Sequence, residues 1–140
     1  MKYLLLICCY FVFSSCHKDA NSSGPSINGE WTMVRVEDRS SGQSYSHPAG
    51  SRDVTIKFTG NSTGGIITGK TQTNTIIPSS YSIGSNRTIS IPGLGSTQVY
   101  EPEWGSFFLE NITFATAYQI IPGRTLVILT PNLSLKFSRN

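Results

Sequence analysis

The sequence predicts a mainly β (α+β) fold: a single antiparallel β-sheet or barrel-like domain with one packed helix near residues 102–112. Three observations carry that expectation. Apolar and polar residues alternate with a period of two in several short runs rich in Val, Ile, Thr and aromatic residues. Turn-forming pairs such as Gly84-Ser85, Pro122-Gly123 and Pro131-Asn132 punctuate those runs. Only one stretch, from Trp104 onward, repeats its apolar residues at the helical spacing of three and four.

The first element in the chain lies outside this domain. Met1 and Lys2 precede an apolar run from Tyr3 to Phe13, followed by Ser14, Ser15 and Cys16. A charged start, an apolar segment too short to span a bilayer comfortably and small residues before a cut describe a secretory signal. Phe13-Ser14-Ser15-Cys16 resembles the lipobox of Bacteroidetes-type lipoproteins, with Phe13 in place of the commoner Leu. The resemblance implies cleavage before Cys16 and a diacylglycerol on its thiol. Two or more acyl chains, each gaining about 0.8 kcal/mol per buried methylene, hold a protein firmly to a membrane. Lys18 and Asp19 resemble the Lys-Asp signal that sends some of these lipoproteins to the outer face of the outer membrane; a solvated tether is the alternative reading. The expected divisions are a signal peptide at 1–15, a lipidated cysteine with a Ser/Asn/Gly/Pro linker at 16–26, and one domain at 27–140. The expected location is the outer membrane of a Gram-negative bacterium, anchored by lipid, with the periplasmic and cell-surface faces both open.

Cleavage there also removes Cys8 and Cys9, so no cysteine keeps a free thiol. That excludes a disulfide framework, a thiolate zinc site and a cysteine nucleophile. Of the 11 basic residues Lys2 is lost, leaving ten against eight acidic, a net of +2 with no basic run. Nucleic acid and polybasic membrane binding are both disfavoured on that count, and no nucleic-acid partner is expected.

Within the domain, Trp31, Met33 and Arg35 alternate with Thr32, Val34 and Val36, which predicts a strand from Glu30 to about Glu37. A polar loop follows from about Asp38 to Asp53. Val54, Ile56 and Phe58 give a second strand ended by Gly60 and Asn61, and Ile66 and Ile67 mark a third from Gly65 to Lys70. Tyr81 and Ile83, the turn Gly84-Ser85-Asn86, then Ile89 and Ile91 predict a hairpin. The helix opens at Glu101-Pro102-Glu103-Trp104: Pro102 suits a first turn that needs no N–H, and the two carboxylates suit the positive end of the helix dipole. Trp104, Phe107, Phe108 and Ile112 form its apolar stripe, with the end near Asn111. Three strands around Tyr118–Ile120, Leu126–Leu129 and Leu135–Phe137 close the chain as a meander.

This order of elements resembles the META domain, the HslJ-like family of small envelope proteins. Asn28-Gly29-Glu30-Trp31 matches its Gly-x-Trp start, Gly69, Asn74 and Tyr81 fall where it carries a Gly, a Cys-Asn and a Gly-x-Tyr, and Thr97 with Glu103, Phe107, Phe108 and Ile112 resembles its Thr loop and Glu-x-x-x-Phe helix. The closing strands match its Tyr-x-Ile, Leu-x-Leu and Leu-x-Phe. Thr73 stands where the family commonly has the Cys of Cys-Asn, and Val99 or Tyr100 near the second common Cys, so no thiol role carries over. The resemblance implies a compact antiparallel β domain with one packed helix and links to stress or antibiotic tolerance, and it implies no active site.

The residues themselves offer little chemistry. Nucleophilic catalysis needs a base near a nucleophile, and His47 is the one histidine beyond the leader and tether, in Ser44-Tyr45-Ser46-His47-Pro48. Its loop is the best place for a contact surface, with Arg39, Tyr45, His47 and Arg52 as recognition groups. Glu101 and Glu103 read as helix-start residues rather than a glycosidase pair, because side chains two apart on a helix diverge. Asp38 and Asp53 flank the loop without the converging oxygen set of a hard-metal site, so neither metal nor cofactor is expected. Trp31 and Trp104 read as core anchors, with a pocket lining as the alternative. The expected function is a non-catalytic, lipid-anchored, monomeric module acting by protein contact or as a stress-related envelope factor. A lipocalin-like binder of a small apolar ligand is second, and a hydrolase using Glu103 or His47 is third.

Overall fold

The structure is a computed structural model and describes residues 26–122 and 124–139. Cys16, Lys18 and Asp19 fall outside them. The strands are β1 (Gly29–Asp38), β2 (Ser44–Ser46), β3 (Thr55–Asn61), β4 (Gly64–Lys70), β5 (Thr75–Ile83), β6 (Ile89–Ser90), β7 (Ala117–Ile121), β8 (Thr125–Leu129) and β9 (Leu133–Ser138), with helix α1 (Glu103–Asn111) between β6 and β7. Eight strands pair in the order β6-β5-β4-β3-β1-β9-β8-β7, and β2 pairs with β1. Every pairing is antiparallel. The sheet curls until its two ends meet: Thr88 bridges Ala117, and the Ile89 N–H donates to the Thr116 carbonyl at 3.1 Å. The result is a nearly closed antiparallel barrel, the mainly β fold expected.

Period-two alternation places Ile56 and Phe58 of β3, Leu126 and Ile128 of β8, and Leu135 and Phe137 of β9 inside the barrel. In β1 the alternation is interrupted. The register to β9 slips between Met33 and Arg35, so Val34 is an extra residue bulged out of the ladder. Met33 and Val36 are therefore both fully buried, while Arg35 is exposed, not part of the Trp31/Met33 face as strict alternation predicts. A second slip, between Ile67 and Gly69, sets Ile77 and Pro78 opposite Thr68. Proline lacks a donor for the ladder, and a bulge tolerates it. This is why β5 extends back to Thr75, where the sequence pattern shows a strand only from Tyr81.

The predicted loop from Asp38 to Asp53 is partly a strand as well. Asp38 Oδ1 accepts hydrogen bonds from the Ser40 N–H, the Ser41 N–H and the Ser40 hydroxyl, tightening a turn that returns β2 onto β1. Those bonds hold the Asp38 carboxyl at about 2 against an ordinary 3.8. The helix begins one residue later than the sequence suggests: Pro102 has extended ψ of 161° and stands just outside α1. A 3-10 turn over Ile112–Phe114 continues from it.

Antiparallel order puts alternate connections at opposite ends. The chain entry at Ser26, the β3–β4, β5–β6 and β7–β8 turns and the end of β9 share one end. The β1–β2, β4–β5 and β8–β9 turns share the other with α1. Trp104, Phe108 and Ile112 are buried from that second end, and the Phe108 ring meets Phe137 edge-to-face at 6.4 Å. At the entry end, Trp31 donates its indole N–H to the Ile27 carbonyl at 2.7 Å, Arg139 lies over its ring at 4.0 Å, and Arg139 also donates to the Asn28 carbonyl. Both ends of the interior are thus occupied by aromatic side chains.

Candidate functional site

The α1 end holds a connected polar network among the described residues. Its centre is Glu101, immediately before the helix. One carboxylate oxygen, Oε2, accepts from the hydroxyls of Thr71 and Thr73 at 2.5 and 2.9 Å and from Asn74 Nδ2 at 2.6 Å; Oε1 accepts from the Gln72 N–H at 3.0 Å. Partial burial raises the carboxyl's pKa, and the four hydrogen bonds together outweigh it, holding the group below its ordinary value. Asn74 extends the network. Its Oδ1 accepts from the Thr97 hydroxyl at 3.0 Å and the Val99 N–H at 2.8 Å, and its Nδ2 also donates to the Val99 carbonyl at 2.8 Å. Gln72 Oε1 accepts from the Gly105 N–H at 3.0 Å, satisfying a donor in the first turn of α1. The β4–β5 turn, the segment 97–101 and the helix start are therefore one hydrogen-bonded unit, with Thr71, Gln72 and Asn74 buried.

No spacing rule joins Glu101 to residues 27 to 30 positions earlier. Glu101 is thus a cross-chain acceptor for the β4–β5 turn rather than the helix-start residue the sequence suggests. Glu103 alone occupies the first turn of α1.

The expected contact loop is divided by the fold. Arg39 turns to the β8–β9 connection, donating to the Thr130 carbonyl at 2.7 Å, and holds that turn while remaining exposed. Tyr45 lays its ring against Phe107 at 5.4 Å, and His47 meets Trp104 edge-on at 5.7 Å, so both fasten β2 to α1. Arg52 alone of the four lines an open groove of about 540 Å³, with Ser51, Asp53, Lys70 and the β4–β5 turn. All of its lining residues are polar.

His47 has a serine and an aspartate nearby, yet their arrangement is not that of a catalytic triad. Ser51 Oγ, the Arg52 carbonyl and Asp53 Oδ1 lie 3.1, 3.2 and 3.4 Å from the same ring nitrogen, Nε2. A carbonyl and a carboxylate only accept, so this network assigns the proton to Nε2. Ser51 donates its own hydroxyl proton to the Pro48 carbonyl at 2.8 Å. A base activating Ser51 would need a free Nε2, with the acid holding the opposite nitrogen.

Trp31 and Trp104 are 2% and 3% exposed, so both belong to the core. Each also reaches a depression. Trp31 borders one of about 210 Å³ with Ser26, Ile120, Ile121, Pro122, Arg124 and Arg139, and Trp104 borders one of about 120 Å³ with Tyr45, Ser46, Pro48, Glu103 and Phe107. A drug-sized ligand site is about 300 Å³ or more. Among the described residues, no three His, Cys, Asp or Glu side chains gather as a metal site, and no helix is long and apolar enough to cross a membrane.

No protein-family model matches the chain, and no curated protein matches it. A solved structure of a DUF4847 family protein from Bacteroides vulgatus ATCC 8482 superposes with a TM-score of 0.56 at 16% identity, covering 81% of this chain and 93% of that one. At that identity the similarity is one of fold.

Proposed function

We propose that the chain is a lipid-anchored envelope domain of META (HslJ-like) type that acts by contact rather than catalysis, through the face at the α1 end. The observation that carries this reading is how the reactive groups there are used. His47 keeps its proton toward two acceptors and Glu101 is filled by four donors, while Arg52 and Lys70 stand on the rim of an open polar groove. Tyr100, 85% exposed in the segment bound to Thr73, adds an aromatic group to the same end. Exposed Arg and Tyr side chains beside a rigid polar frame suit a protein partner. The interior supports contact over uptake of an apolar ligand, because Trp31, Phe58, Phe108, Phe137 and Met33 already fill it.

The test is a charge reversal, Arg52→Glu with Lys70→Glu, in the lipidated protein in its own host. Cross-linked partner should fall at least tenfold while membrane fractionation and thermal unfolding stay unchanged. Undiminished cross-linking would remove the groove from the interface. Hydrolysis of ester, peptide or glycoside substrates that His47→Gln abolishes would replace the contact reading with an enzymatic one. Anchoring is tested separately: Cys16→Ser should move the protein from the membrane to the soluble fraction with an unaltered circular dichroism spectrum, and retention in the membrane would refute the lipobox.

A further inference from the structure

The two ends of the barrel differ in charge and polarity, and we propose that the entry end rests on an anionic lipid surface. The inference depends on the lipid-anchor reading and adds an orientation and a second membrane contact to it. Arg87 lies in the β5–β6 turn, Arg124 in the β7–β8 turn and Arg139 beyond β9, while Lys57 stands opposite Glu30 across the β1–β3 ladder. Glu30 is the one described carboxylate at this end; the others, from Glu37 to Glu110, belong to the α1 end. Two of these basic side chains, Arg124 and Arg139, border apolar surface: Ile121 is 48% exposed and, with Ile120 and Pro122, walls the depression of about 210 Å³ beside Trp31.

Ser26 borders that same depression, so the tether joins the domain where the apolar and basic groups are. Ten residues from Cys16 to Ser26 reach at most about 36 Å when fully extended. That reach keeps the domain beside the bilayer, and the basic and apolar groups around the tether's attachment then set which end faces the lipid. A basic residue is attracted to an anionic surface within a Debye length of roughly 8 Å at physiological salt. Basic and apolar groups on one small face match the headgroup and upper acyl layers of such a surface. The α1 end, with its groove, is then presented away from the membrane.

The experiment uses the full lipidated protein on phosphatidylethanolamine–phosphatidylglycerol vesicles. Single thiols are introduced by Ile121→Cys or Thr73→Cys, labelled with an environment-sensitive dye, and quenched by headgroup nitroxide lipids. Quenching should be at least threefold stronger at 121 than at 73, and the difference should shrink at 1 M salt or in Arg87→Glu/Arg124→Glu protein. Equal or reversed quenching with the protein still floating on the vesicles would overturn the orientation and leave the anchor standing. Failure to float would overturn both. Hydrogen exchange of the unsubstituted protein with and without vesicles provides a second reading: protection at 84–88 and 120–122 supports the proposal, and protection at 70–75 contradicts it.

Discussion

Asn74 uses both ends of its amide to join the start of β5 to residues 97–101, and it does so while buried. Asn74→Ala would remove the side-chain partners of the Val99 N–H and carbonyl, the Thr97 hydroxyl and Glu101 at a part-buried site. Each such bond contributes about 0.5–1.5 kcal/mol, more where it meets a charge, so a loss of about 3 kcal/mol is expected in urea denaturation. Glu101 makes the same unit sensitive to pH. Its folded pKa lies below the ordinary carboxylate value, so in the native state it stays ionised when the unfolded chain already binds a proton. Its stabilisation is present above the unfolded pKa and is lost as pH falls through the depressed folded one. Asp38 acts with the same sign, between 3.8 and about 2. The urea midpoint should therefore fall on acidification from pH 5 toward 2. Glu101→Gln should flatten that fall and cost about 2 kcal/mol at neutral pH, because its amide N–H₂ replaces an acceptor among donors. An unchanged acid limb would show that Glu101 is not part of the acid response.

Helix α1 shows how an element's own propensity yields to its neighbours. Gly105 is a poor helix former, and alanine there would ordinarily stabilise by about 1 kcal/mol. In this fold a Cβ at 105 would collide with the Glu101 carboxylate, which lies against the glycine backbone. Gly105→Ala should therefore destabilise, by about 1–3 kcal/mol; an increase in stability would mean that Glu101 moves aside freely. Gly69 in β4 is constrained differently, with φ of +153° and the Thr55 carbonyl where a side chain would begin. The apolar stripe Trp104, Phe107, Phe108 and Ile112 reveals the helix because its spacing is set within the element. The β1 and β5 bulges are not legible in the same way. Val34 and Pro78 are displaced by the register of β9 and β4 against them, and that register lies in the partner strand.

At the scale of the molecule, the entry end of the barrel is covered by a long-range contact. Arg139 covers Trp31 and bonds the Asn28 carbonyl, tying the last residues to the first strand. Arg139→Ala should cost about 2 kcal/mol, the order of a desolvated cation–π contact, and should alter Trp31 fluorescence before the global transition. Unchanged stability and emission would show that this cover adds nothing to the fold. The sequence by itself determined the β class, the position of the helix, most strands and the aromatic residues of the core, because period-two and period-3.6 patterns are written locally in the chain. It also singled out Arg52 and His47 from a polar stretch, without distinguishing the rim residue from the one packed against Trp104. Only the tertiary structure decided that distinction, as it decided the union of Glu101 with Thr71, Gln72, Thr73 and Asn74 and the separation of a basic-apolar end from a polar one. The physical reason is that such contacts join residues tens of positions apart, and their partners are chosen by strand order, register and barrel closure rather than by neighbours in the chain.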